Sequence, residues 1–323
     1  MKAAVYYATG GPDVFRYEER PDPTCHARGV LVDVRAVSIE GGDVLNRAGG
    51  AMPATPHVVG YQSAGVIREV GAEVRDRSVG QRVVVITAHG SHASIVSAPA
   101  DATWLVPDDL DLLPAACVPI PFGTADDCLF EFGHLKAGET VLVQAGAGGV
   151  GLASVQLAKR AGAIVLATAS SDEKLARLRD FGVDHGINYV AKDFVAAVKD
   201  ITGGKGVDLV VDSVGGKTLQ GSLACLAYRG RAISVGNASR EREPPDLRAL
   251  GGRNCTYASI SFGVERRERP ERVIPMVDGH LRDVARGVLK VVIDRTFPLS
   301  AAAEAHAYIE SRQAFGRVLL IPD

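Results

Sequence analysis

The chain has 323 residues, 46% of them hydrophobic and 23% charged, with a formal net charge of −2. That is an ordinary globular composition, long enough for two domains, and it gives no electrostatic argument for a nucleic-acid or anionic-membrane partner. Cys25, Cys117, Cys128, Cys225 and Cys255 lie far apart, with no C-x-x-C pair and no Cys/His cluster of zinc spacing; the start "MKAAVYYATGG" lacks an apolar signal core, so the expectation is a cytoplasmic protein with free thiols.

The first hundred residues read as short strands. "GVLVDVRAVS" alternates, "SAGVIREVG" and "GQRVVVITA" follow, and Gly and Pro separate the runs, which predicts a compact, mostly β unit. From about residue 138 the rhythm changes. "ETVLVQA" is a buried-type strand, and "GLASVQLAKRAG" puts Leu152 and Val155 on one helical face before Gly162 ends it. "AIVLATA" is the next strand. "SSDEKLARLRDFG" predicts a helix with a Ser170-x-x-Glu173 capping box, an apolar face of Leu175, Leu178 and Phe181, and Gly182 at its end. The strand "HGINY", the helix "DFVAAVKDITGG", the strand "VDLVVD", the helix "KTLQGSLACL" and the strand "RAISVG" continue an alternation that predicts a parallel, doubly wound α/β sheet. Near residue 260 it stops. "GVERRERPERV" (263 to 273) mixes Arg with Glu and reads as a solvated face, and the tail carries another helix and a last strand expected to rejoin the N-terminal unit. The predicted boundaries are 1–117, 118–260 and 261–323.

"QAGAGGVGLAS" (144 to 154) contains Gly146-x-Gly148-x-x-Gly151 together with Gly149 and Val150. A glycine-rich turn is a weak signal alone. Here it leaves a strand and opens a helix inside a βαβ unit, where glycines allow a tight turn, close approach to a pyrophosphate and close helix–strand contact. The expected ligand is a dinucleotide lying against the helix N-terminus. An NAD site usually offers a carboxylate at the end of the second strand, but "LATASSDEK" places neutral Ala169 and Ser170 there and puts Asp172 in the first turn of a helix. Ser170, Ser171 and Lys174 could hold a 2′-phosphate; alternatively Ser170 only caps the helix and Lys174 is an exposed helical residue. The expected cofactor is NADPH.

With these residues in view, the chain resembles the zinc-independent quinone oxidoreductase (zeta-crystallin-like) family of the medium-chain dehydrogenases/reductases along essentially its whole length. The resemblance rests on "KAAVYYATGGPDVF", "VGAEVRDRSVGQRV", "LKAGETVLVQAGAGGVGLASVQLAK", "GVDHGINY", "DLVVDSVGG", "GRAISVGNAS" and "AFGRVLLIP". It implies a GroES-like β-rich catalytic domain, a Rossmann domain, an active site in the cleft between them, and a homodimer formed through a Rossmann sheet edge at "CTYASISF". It also implies that Tyr189 and Lys174 lie beside the adenosine phosphate and that Thr124 and Asn237 lie near the nicotinamide. Ser213 of "VDSVGG" and Arg317 of "FGRVLL" complete the expected cofactor set. Each has a plainer reading: Tyr189 as a strand-end aromatic, Thr124 as a helix cap, Asn237 as a turn residue.

Zinc-dependent relatives carry Gly-His-Glu and a cysteine three residues before an Asp. Here the chain has Gly60-Tyr61-Gln62 and Glu40 three residues before Asp43, with Ile120 at the third ligand position, so no metal is expected. Tyr61, Glu40 and Asp43 then become the catalytic candidates. A phenol could donate a hydrogen bond or proton to an oxygen that gains charge, and Glu40 could hold it or relay its proton. Alternatively Tyr61 only packs, Glu40 pairs with Arg47 or caps a helix, and Asp43 and Arg47 form an i,i+4 pair. Where many relatives read Asn-x-x-Asp-x-Tyr, this chain reads Glu40-x-x-Asp43-x-Leu45. The implied activity is NADPH-dependent hydride transfer to a quinone or other α,β-unsaturated carbonyl, a small molecule, without metal or flavin. An enoyl-thioester reductase and a weakly catalytic NADPH-binding or RNA-associated protein are the alternatives.

Overall fold

The computed structural model describes every residue from Met1 to Asp323 and divides into two compact units, Met1–Ile120 with Ile274–Asp323, and Pro121–Val273.

The first unit is β-rich. Its seven-stranded sheet runs Ile293–Pro298, Arg317–Ile321, Gly29–Ser38, Gln62–Val70, Arg82–Ile86 and Thr103–Leu105, with Ile95–Pro99 also paired to Gly29–Ser38. The period-2 alternation in "GVLVDVRAVS" sends Val30, Val32 and Val34 into a core with Ile67, Val83, Val85 and Leu320, while Arg35 faces solvent. The pairing that matters most for the site is antiparallel. Leu319 opposes Ser38 and Leu320 opposes Val37, so the last strand carries Arg317 to the end of Gly29–Ser38. The tail thus rejoins the N-terminal unit, through helix Ala302–Glu310 and strand Arg317–Ile321.

In the second unit six parallel strands lie in the order His185–Asn188, Ile164–Ala169, Thr140–Val143, Val207–Asp212, Leu226–Ser234, Thr256–Ser259. Taken in chain order this is 3-2-1-4-5-6, the doubly wound order, and the chain reverses its direction of winding between Thr140–Val143 and Val207–Asp212. Ligand crevices in such sheets open at the carboxyl ends of the strands beside that reversal.

Both boundaries fall inside helices, Pro119–Asp126 and Pro270–Ala285, rather than at 117 and 260. The second is later because helix Phe262–Glu268 stays with the Rossmann unit: Phe262 is buried, and a Cβ on Gly123 would run into its ring. Nor is "GVERRERPERV" wholly a solvated face. Arg272 reaches the buried Asp127 at 2.5 Å and Glu265 at 3.2 Å, contacts between distant positions that the local charge pattern does not encode.

Candidate active site

In the Rossmann unit, strand Thr140–Val143 runs into a turn where Ala145 takes φ +52°. The motif glycines themselves have ordinary φ, so close packing rather than left-handed backbone is what requires them. A Cβ on Gly151 would strike the Ala145 carbonyl oxygen and lie 2.8 Å from Gly146 Cα, and one on Gly146 would lie 3.0 Å from Ala167 Cβ and 3.1 Å from Leu178 Cδ1. Gly148 is the N-cap of helix Gly149–Arg160. The first helical hydrogen bond runs from Leu152 N–H to the Gly148 carbonyl at 2.9 Å, so the amides of Gly149, Val150 and Gly151 open from the helix end, where the dipole favours an anion.

On the next strand, Ala169 is buried and Ser170 half-buried. The following helix, Asp172–Arg179, is capped by Ser171, whose Oγ accepts the Lys174 N–H at 3.3 Å. The capping residue is therefore Ser171 and not Ser170: Ser171 has the extended φ of −154° and stands three residues before a helical amide. Asp172 accepts a hydrogen bond from Asn188 Nδ2 at 3.1 Å. Tyr189, 40% exposed, follows the neighbouring strand, and its N–H reaches the Ala169 carbonyl at 3.2 Å. Ala169, Ser170 and Tyr189 are thereby gathered at adjoining strand ends.

A second group lies past Val207–Asp212. The Ser213 carbonyl accepts the Ala238 N–H at 3.2 Å, and Asn237 accepts the Ser239 hydroxyl at 2.8 Å while donating to the Glu241 carbonyl at 2.7 Å. Gly215, at φ +76°, has no room for a side chain, since its Cβ would lie 2.6 Å from Asn237 Oδ1. Thr124 is buried within helix Pro119–Asp126 and does not cap it.

The first unit gathers the other candidates. Glu40 is the N-cap of helix Gly41–Gly49 and is buried. Its carboxylate accepts Gln62 Nε2 at 2.9 Å, the Ser38 hydroxyl at 3.2 Å and the Arg317 guanidinium. Arg317, expected among the cofactor residues, is found in this cluster, also donating to Ser38 Oγ and the Ile39 carbonyl, both at 2.7 Å. Gln62 in turn accepts the Ile120 N–H at 2.6 Å. Asp43 receives the Glu40 N–H at 2.9 Å on one oxygen, and its other oxygen is buried without a partner. Arg47 donates to Glu310 and, at 2.8 Å, to the Gly10 carbonyl. The Tyr61 hydroxyl lies over the start of the helix, where a Cβ on Gly42 would come within 2.6 Å of it.

Burial pushes the Glu40 carboxyl up to about 7 against the pull of Arg317 and Ser38. Burial likewise raises Asp43 well above the usual carboxylate range, opposed by the Glu40 amide. Burial, then the charges of Asp43 and Glu40, raise the Tyr61 phenol well above its ordinary value. Tyr61 therefore stays protonated at neutral pH, a hydrogen-bond donor rather than a base. Sequence reasoning missed Ser38 and Gln62 as partners; the available signal was a polar residue at each of two positions beside otherwise apolar strands.

Two family descriptions match the chain: an alcohol dehydrogenase GroES-like domain over residues 26–108 and a zinc-binding dehydrogenase over residues 149–279. A 2-haloacrylate reductase of a Burkholderia species is 37% identical, covering 100% of this chain and 99% of that protein. The crystal structure of Escherichia coli quinone oxidoreductase complexed with NADPH superposes with a TM-score of 0.95 at 31% identity over 100% of both chains. The chain belongs to the zinc-independent quinone oxidoreductase-like family of medium-chain dehydrogenases/reductases. A more distant solved member of this fold, the CurK enoyl reductase, gives a TM-score of 0.88 at 26% identity, covering 100% of this chain and 99% of the other.

For a member of this family the zinc-binding name directs attention to the residues at the ligand positions. Ile120 offers no donor atom, the Glu40 carboxylate is held by Arg317 and Gln62, and nowhere do three or more His, Cys, Asp or Glu side chains group as a metal site. These residues do not fit zinc, which prefers nitrogen and sulfur ligands in tetrahedral array.

Proposed function

We propose that this family member is an NADPH-dependent reductase that delivers hydride to a quinone or another α,β-unsaturated carbonyl, with neither metal nor flavin. The observation that carries the reading is the Tyr61 hydroxyl over the start of helix Gly41–Gly49, whose N-cap Glu40 is buried and paired with Arg317; Tyr61 and Glu40 stand at positions that zinc ligands occupy in metal-dependent relatives. NADPH, when bound, supplies the hydride. The open amides of residues 149 to 151 would hold its pyrophosphate, and Ser170, Ser171, Lys174 and Tyr189 would hold its 2′-phosphate. The strand-end positions Ala169 and Ser170 bring no carboxylate to repel that phosphate, and Asp172 is held by Asn188 in the first turn of the next helix. As hydride reaches the β-carbon, the alkene's electron pair moves toward the carbonyl oxygen. Tyr61 donates to that oxygen, the place where a preorganised donor lowers the barrier most.

The E. coli quinone oxidoreductase likeness, over the whole of both chains, supports the cofactor. The Burkholderia reductase, by its name, acts on an electron-poor alkene of the same chemical kind. Tyr61→Phe tests the phenol: kcat should fall by about a hundredfold with the KM for NADPH unchanged, and unchanged turnover with every acceptor would remove Tyr61 from the mechanism. The CurK likeness favours one second reading, an enoyl-thioester acceptor, and a short enoyl thioester belongs in the same assay. We also read the protein as cytoplasmic, in keeping with five free cysteines, and as a homodimer built on the edge strand Thr256–Ser259, whose exposed backbone edge is a ready pairing surface. Sedimentation at low micromolar concentration, showing monomer alone, would overturn the dimer.

A further inference from the structure

Beneath the glycine turn, four buried polar side chains form one continuous hydrogen-bond chain across three adjacent strands. Thr168, on Ile164–Ala169, donates its hydroxyl to Gln144 Oε1 at 2.7 Å. Gln144, just past Thr140–Val143, donates from Nε2 to Ser222 Oγ at 3.0 Å. Ser222, on helix Gly216–Ala224, donates to Asp212 Oδ2 at 2.8 Å. Asp212 ends strand Val207–Asp212, and its other oxygen accepts the N–H groups of Val214 and Gly215, both at 2.8 Å. At the opposite end, Thr168 Oγ1 accepts the Ala145 N–H at 3.1 Å, and the Thr168 carbonyl accepts the Gly146 N–H at 2.8 Å. All four residues are buried.

This chain has a direction, and the carboxylate sets it. Asp212, ionised, can only accept, so Ser222 must spend its single proton there and can only accept from Gln144. That fixes the Gln144 amide with its nitrogen toward Ser222 and its oxygen toward Thr168. Thr168 must then donate to Gln144, which leaves its lone pairs for the Ala145 amide. Every member is satisfied in only this one order, and a fully satisfied buried network specifies a single arrangement.

We propose that Asp212 and Thr168 are positioning residues for the dinucleotide: the chain locks the turn at Ala145 and Gly146, which leads into the open amides of residues 149 to 151, to loop 213 to 216, which packs on Asn237. The proposal rests on the reading that NADPH binds at this turn. Asp212→Asn should reverse the order. The two backbone donors hold the amide oxygen at the Oδ1 position, so the new NH2 faces Ser222, Ser222 turns its proton to Gln144, the Gln144 amide flips, and the Thr168 hydroxyl is left facing donors. Thr168→Val, nearly isosteric in a strand, removes the same end directly.

The experiment is titration of wild type, Asp212→Asn, Thr168→Val, Thr168→Ser and the Asp212→Asn/Thr168→Val double variant with NADPH, followed by nucleotide fluorescence, with far-ultraviolet circular dichroism to confirm folding. Each of the two disruptive single variants should weaken binding by about tenfold, and Thr168→Ser should bind like wild type. The double variant should be no weaker than the worse single, because both changes break one chain; residues acting independently of each other would show multiplied losses. Wild-type affinity in folded Thr168→Val, or losses that multiply, would overturn the proposal. Should Asp212→Asn fail to fold, Thr168→Val against Thr168→Ser still decides it. Absence of NADPH binding by the wild-type protein would instead overturn the cofactor reading, and the positioning role with it.

Discussion

Glu40 in the first unit and Asp212 in the second are both buried carboxylates just at or beyond a strand end, yet they are satisfied in different ways. Asp212 is met by neutral donors close in sequence, two amides within three residues and a hydroxyl ten residues on. Glu40 is met by a guanidinium 277 residues away and an amide side chain 22 residues away. The first arrangement is written into one strand-turn-helix segment; the second exists only after the last strand has paired with Gly29–Ser38. A charge paired with a charge is also the more vulnerable design, because removing one partner strands the other in a medium that cannot solvate it.

The largest expected effect comes from breaking that pair. Arg317→Met should cost about 3–5 kcal/mol, read as a drop in the urea midpoint at pH 8.5, where Glu40, at about 7 beside Arg317, is ionised in the wild type, and adding Glu40→Gln should recover much of it by removing the stranded charge. A loss below about 1 kcal/mol would mean that Glu40 is carried neutral and the ion pair does not organise the first unit.

The first unit also buries a pair of histidines, His92 and His306, with Nε2 atoms 3.0 Å apart. Burial holds His92 down to about 3, and burial, then His92 and Arg47, hold His306 well below its ordinary value. Both rings are neutral when folded but take up protons near 6.5 when unfolded. Their stabilisation is therefore present above about pH 6.5 and is lost below it, by up to about 1.4 kcal/mol per pH unit for each ring. Glu40 has the opposite sign, raised from 4.5 to about 7, so its contribution grows as pH falls below 7. Urea midpoints at pH 7.5 and 5.0 should thus show a smaller acid loss in His306→Leu than in the wild type; equal losses would show that the imidazoles already titrate in the fold.

The smallest effect separates two neighbouring serines of the Rossmann unit. Ser171→Ala should cost about 1 kcal/mol through the lost cap, and Ser170→Ala less than about 0.5 kcal/mol. The reverse ranking in apo-protein melts would restore Ser170 as the cap.

The Rossmann unit was legible because its signals are local. Strand, glycine turn and helix are contiguous from Thr140 to Arg160, and the order of apolar runs gives the sheet. Errors there were slips of register, as at Ser170 and Ser171, or came from contacts between distant positions, as with Phe262 on Gly123 and Arg272 on Asp127. The first unit gave up its strands but not its site. Glu40 and Tyr61 could be named from the positions they occupy, but Gln62 becomes a partner of Glu40 only because Gln62–Val70 pairs with Gly29–Ser38, and the Ile120 amide then meets Gln62 from a distant helix. The contacts of Arg317 with Ser38 and Glu40 were hidden for the same reason: nothing near it in sequence says that residue 317 returns to residue 40.

The reaction proposed for this protein is hydride transfer from NADPH to an electron-poor conjugated carbonyl without a metal. Its most direct test is the loss of NADPH absorbance when purified, chelator-treated protein is mixed with a panel of quinones, α,β-unsaturated ketones and a short enoyl thioester, with NADH run beside it. Turnover should prefer NADPH and be unchanged by the chelator, with a quinone or enone as the best acceptor. Tight NADPH binding with no turnover on any acceptor, or activity that the chelator abolishes, would contradict it.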